Sequence, residues 1–202
     1  MKLGTISIYA AVLLASISAQ AASTAPPDWL IDSAPYRARF STKADGREIK
    51  LFNGLIARTF RLAPNAATVS FDNLVTGEAI LRGVKPEAMV EIDGIRYEVG
   101  GLKGQPNYAF LRPEWIEQLR VDASAFHFVG FEVGKPKERF AWKQARHHAP
   151  EVKWPPAGIQ LRMDYDAPAG TNGTPAAQIR VSVHYELYDG LRSEERRVGK
   201  EC

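Results

Sequence analysis

Two stretches of strict alternation constrain the fold of this chain more than any other feature. Ile179, Val181, Val183, Tyr185 and Leu187 alternate with Gln178, Arg180, Ser182, His184 and Glu186. Ile159, Leu161, Met163 and Tyr165 alternate in the same way with Gln160, Arg162, Asp164 and Asp166. A period of two sends successive side chains to opposite faces, so each stretch reads as a strand with one apolar row toward a core and one polar row away from it. Residues 167–175, rich in Gly, Pro, Thr and Asn, read as the loop of an antiparallel pair.

Shorter runs repeat the pattern upstream. Tyr36 to Thr42 and Glu48 to Phe52 flank Asp45-Gly46, and Met89 to Ile92 and Ile95 to Val99 flank Asp93-Gly94. Asp-Gly accepts the positive φ of a tight hairpin turn. Leu55 to Leu62, Thr68 to Leu74, Ala79 to Arg82 and Phe126 to Val133 add further strands, and Pro113 to Leu119 is the one helical candidate, with Pro at its first position. Roughly ten strands separated by turn residues predict an all-β, antiparallel β-sandwich or open barrel with one short helix, and the sandwich is the architecture expected. Strands and helices do not alternate, which excludes a doubly wound parallel sheet.

The two ends follow different rules. Lys2, an apolar run from Ile6 to Ile17 and Ala19-Gln20-Ala21 read as a signal peptide over residues 1–22, which predicts a secreted or periplasmic bacterial protein. That run is too short to span a bilayer, so no membrane association is expected once it is cleaved. Residues 192–202, RSEERRVGKEC, show no hydrophobic period and resemble the in-frame translation of a short-read sequencing adapter. Residues 23–191 then form one β domain, read as the N-terminal part of a longer protein. The chain carries a formal charge of +3, but 21 basic and 20 acidic residues remain between Ala22 and Leu191. That near balance, without a clustered basic face, argues against a nucleic-acid partner. Cys202, the only cysteine, lies in the suspect tail, so neither a disulfide framework nor a thiol nucleophile is expected.

No strong catalytic or cofactor motif is present. Gly100-Gly101-Leu102-Lys103-Gly104 lacks a following helix and reads as a surface loop rather than a phosphate cradle. Asp164 and Asp166 share a strand face, where solvated carboxylates are the ordinary outcome. Asn172-Gly173-Thr174 matches a glycosylation acceptor, which matters only in a eukaryotic secretory pathway. His147 and His148 are adjacent, so on a strand they point apart, and only His127 and His184 remain to complete a metal site. No metal or other cofactor is expected. The segment Arg139 to Trp154 stands out, because Trp142 and Trp154 bracket Arg146, His147, His148 and Glu151. Indole faces stack on sugar C–H faces while planar polar groups take the hydroxyls, which makes Trp142, His147, His148 and Trp154 candidate substrate-binding residues.

Three segments carry a family resemblance: Asn53 to Phe60 (NGLIARTF), Asn73 to Glu78 (NLVTGE) and His184 to Gly190 (HYELYDG). With them, the chain from Trp29 to Leu191 resembles the N-terminal β domain of secreted bacterial glycoside hydrolases of the α-galactosidase (melibiase-like) type. The resemblance implies a galactose-mutarotase-like supersandwich followed by a separate catalytic (β/α)8 barrel. It implies that this chain is an inactive accessory domain, that the carbohydrate substrate is met through the barrel, and that no catalytic residue lies here. Two alternatives stay open: a free-standing secreted carbohydrate-binding or other binding β-sandwich, and a small metal-dependent enzyme built on His147 and His148. Oligomeric state is not legible.

Overall fold

The computed structural model describes residues 28–139, 141, 153–168 and 179–192, together with the backbone of 194–201. The chain is an all-β protein with antiparallel sheets and one short helix. The first sheet runs in sequence order: β1 (Arg39–Thr42), β2 (Glu48–Phe52), β3 (Ile56–Arg61), β4 (Ala67–Asn73) and the two-residue β5 (Glu78–Ala79). A separate hairpin pairs β6 (Ala88–Ile92) with β7 (Ile95–Val99). After the helix α1 (Pro113–Ile116), β8 (His127–Gly134), β9 (Gly158–Asp166), β10 (Arg180–Tyr188) and β11 (Glu194–Glu201) form the second large sheet, in the order β11-β10-β9-β8.

The turns follow the local chemistry. Asp93 and Gly94 both take positive φ, 52° and 77°, as the tight turn between β6 and β7 requires. At the β2–β3 turn, Asn53 Oδ1 accepts from the Leu55 and Ile56 amides, while its Nδ2 donates to the Tyr188 and Leu191 carbonyls. One buried amide side chain thus fixes a turn and ties it to the end of β10. Asp189 reinforces that junction, accepting from the Ala38 amide and pairing with Arg37. Gly190 donates to the Tyr36 carbonyl, 2.6 Å away.

The two large sheets share one core. Ile49, Leu51, Ile56 and Phe60 from β2 and β3 pack with Leu161, Met163 and Tyr165 of β9 and Val181, Val183, Tyr185 and Leu187 of β10. The Phe60 and Tyr185 rings meet edge to face at 4.8 Å. The apolar rows of β9 and β10 predicted from alternation are therefore the rows that reach the core. A smaller cluster on β4, Ala67 and Val69 with Val84, Leu102 and Leu119, packs against Leu111 and Ile116 around the helix.

Sequence expectations change at several points. The helix ends at Ile116, three residues short, because the chain tightens into i→i+3 bonds: Gln118 donates to Trp115 and Leu119 to Ile116. Gly100 and Gly101 are buried, not on a surface loop, because β7 delivers the buried Val99 directly into them. Residues 194–201, which show no hydrophobic period in the sequence, run as β11 along β10 through eight residue pairs. Residues 1–22 and 172–174 lie outside the described residues. Among the described residues, no helix is long and apolar enough to cross a membrane.

Two ion-pair clamps hold the segment around α1. Arg61, buried in β3, donates both terminal nitrogens to Glu117, at 2.7 and 2.6 Å, and Arg47 reaches the same carboxylate. Asp122 accepts from Lys103 and from Ser124. The Arg61 hydrogen bond holds the Glu117 carboxyl below its ordinary range, and the Lys103 hydrogen bond holds Asp122 well below its own. A carboxyl whose folded pKa is depressed contributes stability that is complete above its unfolded value, near 4, and is lost as the pH falls toward the folded value. The hydrogen-exchange protection factors of amides 98–125 are therefore expected to fall between about pH 4 and pH 2, ahead of those in β9 and β10. Uniform protection across that range would refute the clamp.

Candidate functional site

The polar rows of β9 and β10 form a ladder on the non-core face of the second sheet. The register sets Asp166 opposite Arg180, Asp164 opposite Ser182, Arg162 opposite His184 and Gln160 opposite Glu186. Cross-strand neighbours on one face stand close enough to bond directly, and three of these four rungs do. Arg180 Nε donates to Asp166 Oδ1 at 2.7 Å, Ser182 Oγ to Asp164 Oδ1 at 2.7 Å, and Gln160 Nε2 to Glu186 Oε1 at 3.1 Å. Arg162 instead pairs along its own strand with Asp164 and across to Glu132 of β8, 3.0 Å away.

Burial rises along the ladder. The Arg180–Asp166 end is open to solvent, whereas Ser182, His184, Glu186 and Tyr188 are all buried. Simple alternation predicts a half-buried strand; β10 is instead buried on both faces. Polar side chains tolerate this where they satisfy one another. Glu186 accepts from Gln160 and from Tyr188 Oη, the latter at 2.6 Å. Arg139 Nη2 lies 2.6 Å from His184 Nδ1. A guanidinium only donates, so Nδ1 accepts and the ring proton sits on Nε2. The half-buried Trp154 ring lies 6.4 Å from that of Tyr188, tilted by 49°.

The predicted site residues divide accordingly. Trp154 joins the buried end of the ladder beside Tyr188. Trp142, His147 and His148 lie outside the described residues. Asp166 is a solvent-exposed carboxylate, as its place on the polar row predicts, and pairs with Arg180; Asp164 is instead largely covered and held by Arg162 and Ser182. Among the described residues, no three His, Cys, Asp or Glu side chains gather as a metal site would require. Sequence reasoning missed Glu186 and Tyr188 as site groups. Both stood inside HYELYDG, but a glutamate on the polar row of a strand reads as solvated until its burial is known.

This arrangement offers a carboxylate with neutral donors, an imidazole held in one tautomer, a guanidinium, a phenol and an indole face. Such a set suits the recognition of a polyhydroxylated ligand. Comparison with family models, with curated proteins and with solved structures gives no match for this chain.

Proposed function

We propose that this chain is a carbohydrate-recognising β domain, the N-terminal accessory domain of a secreted glycoside hydrolase acting on α-galactosides or related sugars. The arrangement of sheets proposed with it is the galactose-mutarotase-like sandwich. One observation carries the reading. The two flanks of the Trp-rich segment, Arg139 and Trp154, both come to the buried end of the β10 ladder, at His184 and Tyr188. Those two residues belong to the HYELYDG segment on which the family resemblance rests.

Titration calorimetry of the 202-residue chain with melibiose tests the binding. Saturable binding is expected, weakened about tenfold by Trp154→Ala through loss of the stacking face. No heat of binding in the wild type, or equal affinity in Trp154→Ala, would sink the reading. Release of p-nitrophenol from aryl α-galactosides that survives repurification would sink its accessory part, because a retaining glycosidase needs two carboxyl groups about 5 Å apart across the scissile bond.

A second reading, a binding domain with no enzymatic partner, is favoured by β11, which borders β10 along its full exposed side through eight pairs. The edge of the sheet on that side is then β11 rather than β10.

A further inference from the structure

A second surface, on the opposite sheet, is built like a ligand platform. Residues 105–115 pack on the β4 cluster through Leu111, and their centre is the buried Gln105. Its Oε1 accepts from the Val84 amide, and its Nε2 donates to the carbonyls of Arg82, Asn107 and Phe110. Tyr108 is held close over Gly83, where any Cβ would come within 2.6 Å of its ring. The loop so fastened presents aromatic rings outward: Tyr108 is 46% and Phe110 41% exposed. Phe110 and Trp115 lie 5.4 Å apart at an interplanar angle of 31°.

Cations stand over these rings. Lys85 Nζ lies 4.0 Å from the Tyr108 centroid, and the Arg112 guanidinium lies 5.4 Å from that of Phe110 and 5.7 Å from that of Trp115. Arg82, Lys85 and Arg112 are exposed, and none makes an ion pair among the described residues. Exposed rings interleaved with unpaired cations fit a ligand that has flat apolar faces and carries negative charge. We infer that this platform binds an acidic polysaccharide, with pyranose faces on Phe110, Trp115 and Tyr108 and uronate carboxylates on Arg112 and Lys85.

The guanidinium fork matches a carboxylate in two-point geometry. Three cations, with the exposed Glu114 beside Trp115, are too sparse for a phosphodiester chain, which calls for a basic stripe. The inference rests on the carbohydrate reading only in preferring a sugar among anionic ligands, and its residues are separate from the β10 ladder.

Affinity electrophoresis of the 202-residue chain in native gels containing polygalacturonate, neutral galactan or single-stranded DNA tests it. Polygalacturonate is expected to retard the wild type more than galactan does. Phe110→Ala and Arg112→Ala should each weaken that retardation about tenfold while Trp154→Ala leaves it unchanged. Both altered side chains are solvent-exposed, and an unchanged melting midpoint confirms that the fold is intact. No retardation overturns the platform. So do retardation that survives Phe110→Ala, which would mean ion exchange alone, and stronger retardation by DNA. Loss in Trp154→Ala would move the acidic ligand to the ladder and overturn this site, whereas failure of melibiose binding alone touches only the first reading.

Discussion

Glu87→Ala is expected to destabilise the domain by about 3–5 kcal/mol, the cost of removing one partner from a buried polar network. Glu87 immediately precedes β6 and is 1% exposed. Its Oε1 accepts from the Thr68 amide at 2.5 Å, and its Oε2 accepts from Thr68 Oγ1 and from Tyr185 Oη. One carboxyl therefore joins β4 of the first sheet to β10 of the second. Burial first, and the Glu87 charge second, push the Tyr185 phenol well above its ordinary value, so it stays a protonated donor. Alanine would leave a backbone amide and a phenol in the core without an acceptor. Tyr185→Phe removes one donor and keeps the carboxyl, so its cost should be smaller, about 1–3 kcal/mol. At roughly 2–4 °C per kcal/mol for a domain of this size, Glu87→Ala should lower Tm by about 6–20 °C. Thermal melts followed by tyrosine fluorescence decide it, and a Glu87→Ala protein melting within about 2 °C of the wild type would refute the network.

Gly100→Ala should cost nearly as much, for a different reason. Gly100 has φ +61°, and a Cβ built on it would lie 2.6 Å from the Ala66 carbonyl oxygen and 2.7 Å from the Tyr165 ring. That carbonyl is itself fixed by the Gly101 amide at 2.8 Å, and Tyr165 is fully buried, so neither neighbour gives way cheaply. Left-handed strain of about 1–2 kcal/mol and overpacking of about 1–3 kcal/mol combine. Gly46→Ala separates the two contributions, because Gly46 has φ +68° and nothing within 4 Å of its Cβ position. Urea midpoints should show Gly46→Ala losing only the conformational part, about 1–2 kcal/mol. Equal losses at both positions would show that crowding at Gly100 contributes nothing.

What the sequence made legible is what short-range periodicity encodes. The apolar rows of β9 and β10, the boundaries of β2 and β7, and the Asp93-Gly94 turn all follow from neighbours within a few residues. The parts that escaped depend on distant partners. Nothing local marks Glu87 as buried, since its partners Thr68 and Tyr185 lie 19 and 98 residues away. The burial of Gly100 is set by Ala66 and Tyr165 in the same way. The strand expected from Ala79 to Arg82 shrinks to the two-residue β5, because Ile80 and Leu81 both donate to the single Phe71 carbonyl and break the ladder. Of the candidate site, the Trp154 flank was legible from its residue types, while the buried Glu186–Tyr188 pair required knowledge of which face of β10 is covered.

The junction at Asn53 sets a timetable for folding. Its amide bonds the Tyr188 carbonyl across 135 residues, and the shared core draws on β2 and β3 as much as on β9 and β10. Contacts at such separation close only after most of the chain exists, which slows folding relative to helical domains. During synthesis the first sheet must wait, its apolar row uncovered, until residues past 188 leave the ribosome. A polypeptide that cannot finish its core early keeps that row open to other chains until its last strands arrive.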